Sequence, residues 1–169
     1  LVITTHKSLH TPHPGLNVIT STVRILAGDP LTQYKTANRL PNILARAEAD
    51  AANADEALIS NNRDRIAEAS GANIFIARGD KILTPPLCAG ALAGTTREFI
   101  LRIAGESSVT ATEEDLTVAD LYAADSAFLC SAHWLVAPII SLDGRAMQTK
   151  GAATVKALRQ ACEQAALGR

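Results

Sequence analysis

The chain has 169 residues, 47% of them apolar and 20% charged, and a formal net charge of −1. This composition excludes a disordered segment and leaves room for one good hydrophobic core. The near-zero charge excludes a broad attraction to nucleic acid or to an anionic membrane surface, so function must come from a local site.

The opening LVITT is apolar and β-branched and begins without Met. It reads as the inside of a protein, so further sequence upstream is expected. NVITSTVRIL (17–26) predicts a strand, with Val18, Thr20, Thr22 and Arg24 sharing one face by the two-residue period. AGDPLTQ (27–33) breaks it. From Thr36 to Ala52 the apolar residues Ala37, Leu40, Ile43, Leu44, Ala47 and Ala51 recur at helical spacing, which predicts a helix with that stripe on the core. Its start would carry two cations, Lys35 and Arg39, at an end that already holds partial positive charge. Pro41 suits an early helical turn, where a missing N–H costs least.

Three short strands are predicted next, over Glu56–Ser60, Arg65–Ser70 and Ala72–Ala77. RGDK (78–81) turns the chain into ILT, and Pro85-Pro86 stops that strand. A second helix begins near Thr95 or Thr96, with Phe99, Ile100 and Ile103 on one side. A short acidic helix is expected around Glu113–Ala123, a strand in SAFLCSA (126–132) and a hairpin on Asp143-Gly144. A last helix runs from Ala152 to Leu167 along Val155, Leu158, Ala161, Cys162 and Ala165. Strands cluster instead of alternating with helices, which favours an α+β fold with a mixed or antiparallel sheet. Cys88, Cys130 and Cys162 are far apart and form no C-x-x-C, and the four histidines make no metal set. No zinc cluster or disulfide framework is implied, and with no long apolar run in view a reducing cytoplasm is the expected compartment.

Three places could carry chemistry. Lys35 lies where a strand gives way to a helix, with Arg39 nearby; a lysine beside a second cation loses its proton more easily and can attack a carbonyl. The plainer alternative is a solvated lysine. Glu68 shares a strand face with Ile66 and Ser70; buried, it needs a cationic or N–H partner, whereas on an edge strand it faces solvent. Thr95 and Thr96 follow Gly94 at a helix start, a place suited to a phosphate. The same residues fit a capping box, Thr95-x-x-Glu98, which would satisfy those N–H groups internally. A lysine nucleophile, a buried carboxylate and a phosphate site together meet the needs of pyridoxal phosphate.

KTANRLPNILARAEA, IAEASGANIFI, ILTPPLCAGALAGTTRE and FLCSAHWLVAPI follow one another as they do in fold-type IV pyridoxal-phosphate enzymes, the class IV aminotransferases. The resemblance runs from Leu26 to Asp143, and the family includes branched-chain and D-amino acid aminotransferases and 4-amino-4-deoxychorismate lyase. It implies the D-amino acid aminotransferase-like large domain, a mixed sheet or pseudo-barrel with flanking helices, over residues 1–169. It also implies a homodimer and an N-terminal small domain that this sequence does not contain.

By the same resemblance, Lys35 bonds to the aldehyde carbon of pyridoxal 5′-phosphate and then moves protons at the substrate α-carbon. Glu68 partners the pyridine nitrogen. Ser70 and Gly71 form a turn against the ring, supported by Asn73. Thr95 and Thr96 bind the phosphate, toward which Arg24 also points. Ser131, Ala132 and His133 form the loop that approaches the phosphate and the substrate carboxylate, although many members carry Thr where Ala132 stands. Residues 5–15, with His6, His10 and His13, read as a loop at the substrate entrance. Branched-chain aminotransferases carry Tyr where Arg39 falls, facing the cofactor's phenolic oxygen. Lysine followed by Asn-Arg-Leu looks more like the lyase branch, so elimination of pyruvate from aminodeoxychorismate to give 4-aminobenzoate, a folate precursor, is favoured. Transamination of branched-chain or D-amino acids is the alternative, and an inactive cofactor-binding domain the third.

Overall fold

The computed structural model describes residues 15–106 and 109–166. The reading of LVITT, and His6, His10 and His13 with their loop up to residue 14, lie outside the described residues. The β-branched run forms β1 (Leu16–Ile25). A short 3-10 helix (Pro30–Gln33) and an irregular stretch then lead to α1 (Leu40–Ala51). Four strands follow: β2 (Glu56–Asn61), β3 (Ile66–Ala69), β4 (Asn73–Arg78) and β5 (Lys81–Thr84). After a 3-10 turn at Leu87–Ala89 come α2 (Thr95–Gly105), β6 (Thr110–Glu113), α3 (Val118–Ala123) and β7 (Ser126–Cys130). β8 (Ala137–Leu142), β9 (Arg145–Ala146) and α4 (Ala152–Ala166) complete the order.

The strands form one mixed sheet in the order β3-β2-β1-β8-β7-β4-β5-β6, with β9 paired to β8. β1 runs parallel to both β2 and β8, and β5 parallel to β6, while the other pairs are antiparallel. β3 is an edge strand, far from β4 in this order. Yet only residues 70–72 join them, and Ala69 N–H bonds to the Ala72 carbonyl at 2.8 Å. The sheet must therefore curl until its β3 edge returns to β4. This is the α+β half-barrel that the sequence predicts.

Two-residue alternation fills both faces of the central strands. Ile74 and Ile76 of β4 join Ala127 and Leu129 of β7 in one apolar cluster, with Leu121 of α3. Phe75 and Phe128, directly paired, point the other way into a second cluster with Ile100, Val155, Leu158 and Cys162 from α2 and α4. Their rings stack with centroids 5.1 Å apart. The hairpin forms on Asp143 (φ 50°) and Gly144 (φ 75°), left-handed conformations that a tight two-residue turn requires. The Asp143 carboxylate accepts the Thr20 N–H at 2.6 Å and so ties the turn to β1.

Three expectations fail here. α1 starts at Leu40, not Thr36, with Arg39 at its N-cap and Pro41 in its first turn. Lys35 is thus outside the helix, and the supposed pair of cations in its first turn does not exist. The apolar stripe of α1 does not face the core: Leu40, Ile43 and Leu44 are 58%, 61% and 49% exposed. The buried face is Ala45 and Ala49, packed on Ala57 and Ile59 of β2. Periodicity found a helix but not the side on which small residues let it lie close to the sheet. Third, Glu113 belongs to β6, which pairs with β5, and the helix begins only at Val118 behind a capping box of Thr117 and Asp120.

Phe128→Ala is expected to cost about 3–5 kcal/mol, as large-to-small changes in packed cores do. Ile43→Ala on the exposed face of α1 should change stability by less than about 0.5 kcal/mol. Urea denaturation of both variants checks the pair.

Candidate active site

The curl brings the C-terminal end of β3, the start of β4 and the end of β7 to one rim. There a cleft of about 200 Å³ is lined by Lys35, Arg39, Glu68, Gly71, Asn73, Thr95, Thr96, Ser131 and Ala132. Nine of the twelve described residues that the resemblance marks for the cofactor or substrate thus share one space. Ser70 and His133 do not line it. The Ser70 hydroxyl instead donates to the Glu56 carboxylate. His133 is exposed beside Trp134, their rings 6.0 Å apart. Arg24 lies outside the cleft too, in a neighbouring hollow of about 290 Å³ that reaches the other side of Arg39 and Glu68.

Glu68 sits on an edge strand yet is only 7% exposed, because the curl covers that edge. Its Oε2 accepts the Leu92 N–H at 2.8 Å, and its Oε1 accepts the Asn42 amide at 3.0 Å. Arg39 Nη2 lies 4.0 Å from Oε1. Burial pushes the Glu68 carboxyl above the usual range, and the Leu92, Asn42 and Arg39 contacts offset only part of this. Two oxygens hold about four acceptor sites, so Glu68 can take a further donor from the cleft.

Lys35 is reached by an exposed, irregular stretch between the 3-10 helix and α1. Local bonds shape it: Thr36 N–H to the Tyr34 carbonyl at 2.9 Å and Arg39 N–H to the Ala37 carbonyl at 3.0 Å. Across the cleft, α2 opens at Gly94 without any side-chain cap. The expected capping box is absent because Thr95 is already the first helical residue. The N–H groups of the first turn, with Thr95 at the surface and Thr96 beneath it, are therefore open to an anion. Gly94 is required there by contact: a Cβ would meet Asn73 Oδ1 at 2.2 Å. Asn73 in turn holds the Leu92 carbonyl at 2.9 Å, on the residue whose N–H holds Glu68.

The third wall is the turn after β7. Ser131 accepts the Leu135 N–H through its carbonyl at 2.8 Å and the Trp134 N–H through its hydroxyl at 3.3 Å. Leu135 takes a left-handed φ of 57°, a conformation that costs a bulky residue about 1–3 kcal/mol. Cys130 also lines the cleft, but burial pushes its thiol up to about 12, so it stays protonated and is no nucleophile. Asn42 and Glu56 escaped sequence reasoning. Asn42 is a polar residue on the sheet-facing side of α1, outside the apolar stripe that periodicity picks out, and Glu56 opens an apolar strand; nothing local marks either as a partner of the site.

The amino-transferase class IV family profile matches residues 1–142. This chain belongs to the class IV aminotransferases. It is 35% identical over 137 residues to a putative branched-chain-amino-acid aminotransferase of Methanocaldococcus jannaschii, covering 80% of this chain and 48% of that protein. It is 31% identical over 109 residues to the aminodeoxychorismate lyase of Vibrio harveyi, covering 64% and 40%. The branched-chain aminotransferase of Thermobaculum terrenum, solved in its PLP-form, superposes with a TM-score of 0.85 at 30% identity, over 92% of this chain and 52% of that one. The chain thus spans about half, or less, of the length of these class IV relatives.

Two outcomes follow from this geometry. The folded chain holds the Glu68 proton to higher pH than the unfolded chain, so the stability this proton confers is present at acid pH and lost as pH rises through the folded value. The melting temperature of the unaltered chain minus that of Glu68→Gln should therefore fall from acid pH towards neutrality; a flat difference contradicts the burial. Gly94→Ala should displace Asn73 and cost about 1–3 kcal/mol, read by thermal denaturation.

Proposed function

We propose that this chain is the cofactor-binding part of an enzyme that uses pyridoxal 5′-phosphate to remove the α-proton of an amino acid and then transfer its amino group. One observation carries the reading: Lys35, Glu68 and the uncapped start of α2 line the same cleft. The donor set fits the group, with an amine for its aldehyde, a buried acceptor for its ring N–H and free backbone N–H groups for its phosphate. When bound, pyridoxal phosphate supplies an electron sink for the charge left at the substrate α-carbon.

The chain's own residues then have distinct tasks. Lys35 Nζ takes the α-proton and returns it elsewhere, as a positioned base does. The ionised carboxylate of Glu68 would accept the ring N–H, and its negative charge would favour the proton on the ring. Thr95, Thr96 and the first N–H groups of α2 bind the phosphate. Gly71 and Asn73 give the ring its floor and support, and the Ser131–Ala132 backbone faces the substrate carboxylate. Arg39 sits between Glu68 and the Ser70 carbonyl, where it can also meet the phenolic oxygen. His133 and Ser70 are left with supporting parts.

Transfer is preferred because branched-chain aminotransferases recur among the relatives. A second reading, elimination of pyruvate from aminodeoxychorismate, rests on Lys35-x-x-Asn38-Arg39-Leu40 and on the Vibrio harveyi relative. Assembly of the whole protein as a cytoplasmic homodimer belongs to the same proposal. Its support is the family resemblance, the cysteine usage and the exposed apolar face of α1. Among the described residues no helix is long and apolar enough to cross a membrane.

Borohydride reduction of the chain with pyridoxal phosphate, followed by peptide mass mapping, should place the added mass on the peptide holding Lys35. Label on another lysine, or none, overturns the assignment. In the whole protein, pyridoxamine phosphate formed from branched-chain amino acids supports transfer, and 4-aminobenzoate made from aminodeoxychorismate supports the lyase.

A further inference from the structure

Beneath the cleft lies a second buried carboxylate that none of the site motifs contains. Glu56, the first residue of β2, is 2% exposed. Its Oε1 accepts the Ala57 N–H at 2.8 Å and the Ser70 hydroxyl. Gly71 lies directly on its other oxygen, since a Cβ there would stand 3.4 Å from Oε2. The turn that joins β3 to β4 is thus seated on the Glu56 carboxylate.

That turn is also tied to Glu68. The Ser70 carbonyl accepts the Asn42 amide at 3.2 Å and Arg39 Nη2 at 3.4 Å. The same Asn42 nitrogen bonds to Glu68, and the same Arg39 nitrogen lies 4.0 Å from it. Glu56, Ser70, Asn42 and Glu68 therefore form one connected polar chain from β2 through the turn and α1 to β3. A buried network of this kind couples its members, because each charge acts through a low local dielectric.

The geometry points to Glu56 as a positioning residue for Glu68: its carboxylate fixes the Ser70–Gly71 turn and keeps a second negative charge beneath the Glu68 carboxylate. Its value to catalysis rests on the reading of Glu68 as the partner of a cofactor ring nitrogen. A neighbouring like charge makes a carboxylate hold a proton more firmly, and Glu56 acts on Glu68 in that direction. The other charged groups around the pair are accounted for. Arg39 lines both the cleft and the groove over Glu56, with Arg46 and Asp50 of α1 in that groove. Lys35 lines the cleft with Glu68, and Arg24 and Asp29 line the neighbouring hollow that Glu68 also reaches. Arg39 counters Glu68 from 4.0 Å, and it reaches the turn seated on Glu56 only through the Ser70 carbonyl.

The test is an NMR titration of the Glu68 side-chain carboxyl in the 169-residue chain without cofactor, its resonance assigned through Glu68→Gln. Glu56→Gln keeps the shape and an acceptor for Ser70 but removes the charge, so the Glu68 midpoint should fall towards the ordinary carboxylate range. An unmoved or raised midpoint overturns the proposal. If Glu56→Gln does not fold, Glu56→Met, of similar length and also uncharged, takes its place with the same expected fall, and an unmoved or raised midpoint again overturns the proposal. A purely structural role would leave the midpoint in place in Glu56→Gln, which keeps the acceptor for the Ser70 hydroxyl. Because no cofactor is present, failure here is separate from failure of the Lys35 labelling.

Discussion

Everything at the site depends on a short connection between strands that the sheet order keeps far apart. The Ala69 N–H to Ala72 carbonyl bond closes the turn from β3 to β4, and a flat sheet could not make it. Once the sheet curls, three things meet. The buried edge of β3 presents Glu68, the start of β4 presents Asn73, and the end of β7 presents Ser131 and Ala132. The backbone geometry comes first, and the chemistry occupies the rim it creates.

The electrostatics of that rim are divided by depth. The carboxylates of Glu68 and Glu56 are buried and held by fixed donors, since an unpaired charge there would be very costly. Lys35 is on an exposed stretch shaped by local backbone bonds. The start of α2 lies between these extremes: its N–H groups are fixed in direction but have no side-chain cap. An anion would find them already aligned, at no cost in reorganisation. Buried acceptors below, an exposed amine above and an aligned donor set opposite suit a group that must be gripped at two ends and reacted upon at a third.

Much of this was legible in the sequence. β-branched runs gave the strands, Asp143-Gly144 gave the hairpin, and the four motifs in order gave the family and most of the cleft. What was not legible shares a cause. Whether α1 buries Leu40, Ile43 and Leu44 or its alanines depends on the distance to β2, which no local pattern records. The Thr95-x-x-Glu98 spacing fits a capping box, but the chain enters the helix one residue too early for Thr95 to act as a cap. The family resemblance placed Ser70 in the turn against the cofactor ring. Its hydroxyl turns the other way because Glu56, fourteen residues earlier in sequence, waits beneath it. Asn42 becomes a partner of Glu68 only after 26 residues of intervening fold.

The alanine face of α1 has a consequence for the site. Ala45 and Ala49 touch the sheet one and two turns beyond Asn42, on the same side of the helix. They act as spacers, and the smallest side chains set the narrowest gap. Asn42 can bond to both Glu68 and Ser70 only because that gap is so small. Both alanines are fully buried against β2, so a larger side chain at either would press on the helix that carries Asn42. The grip on a buried acid is thereby gauged by two residues that have no polar atom in their side chains and never touch it.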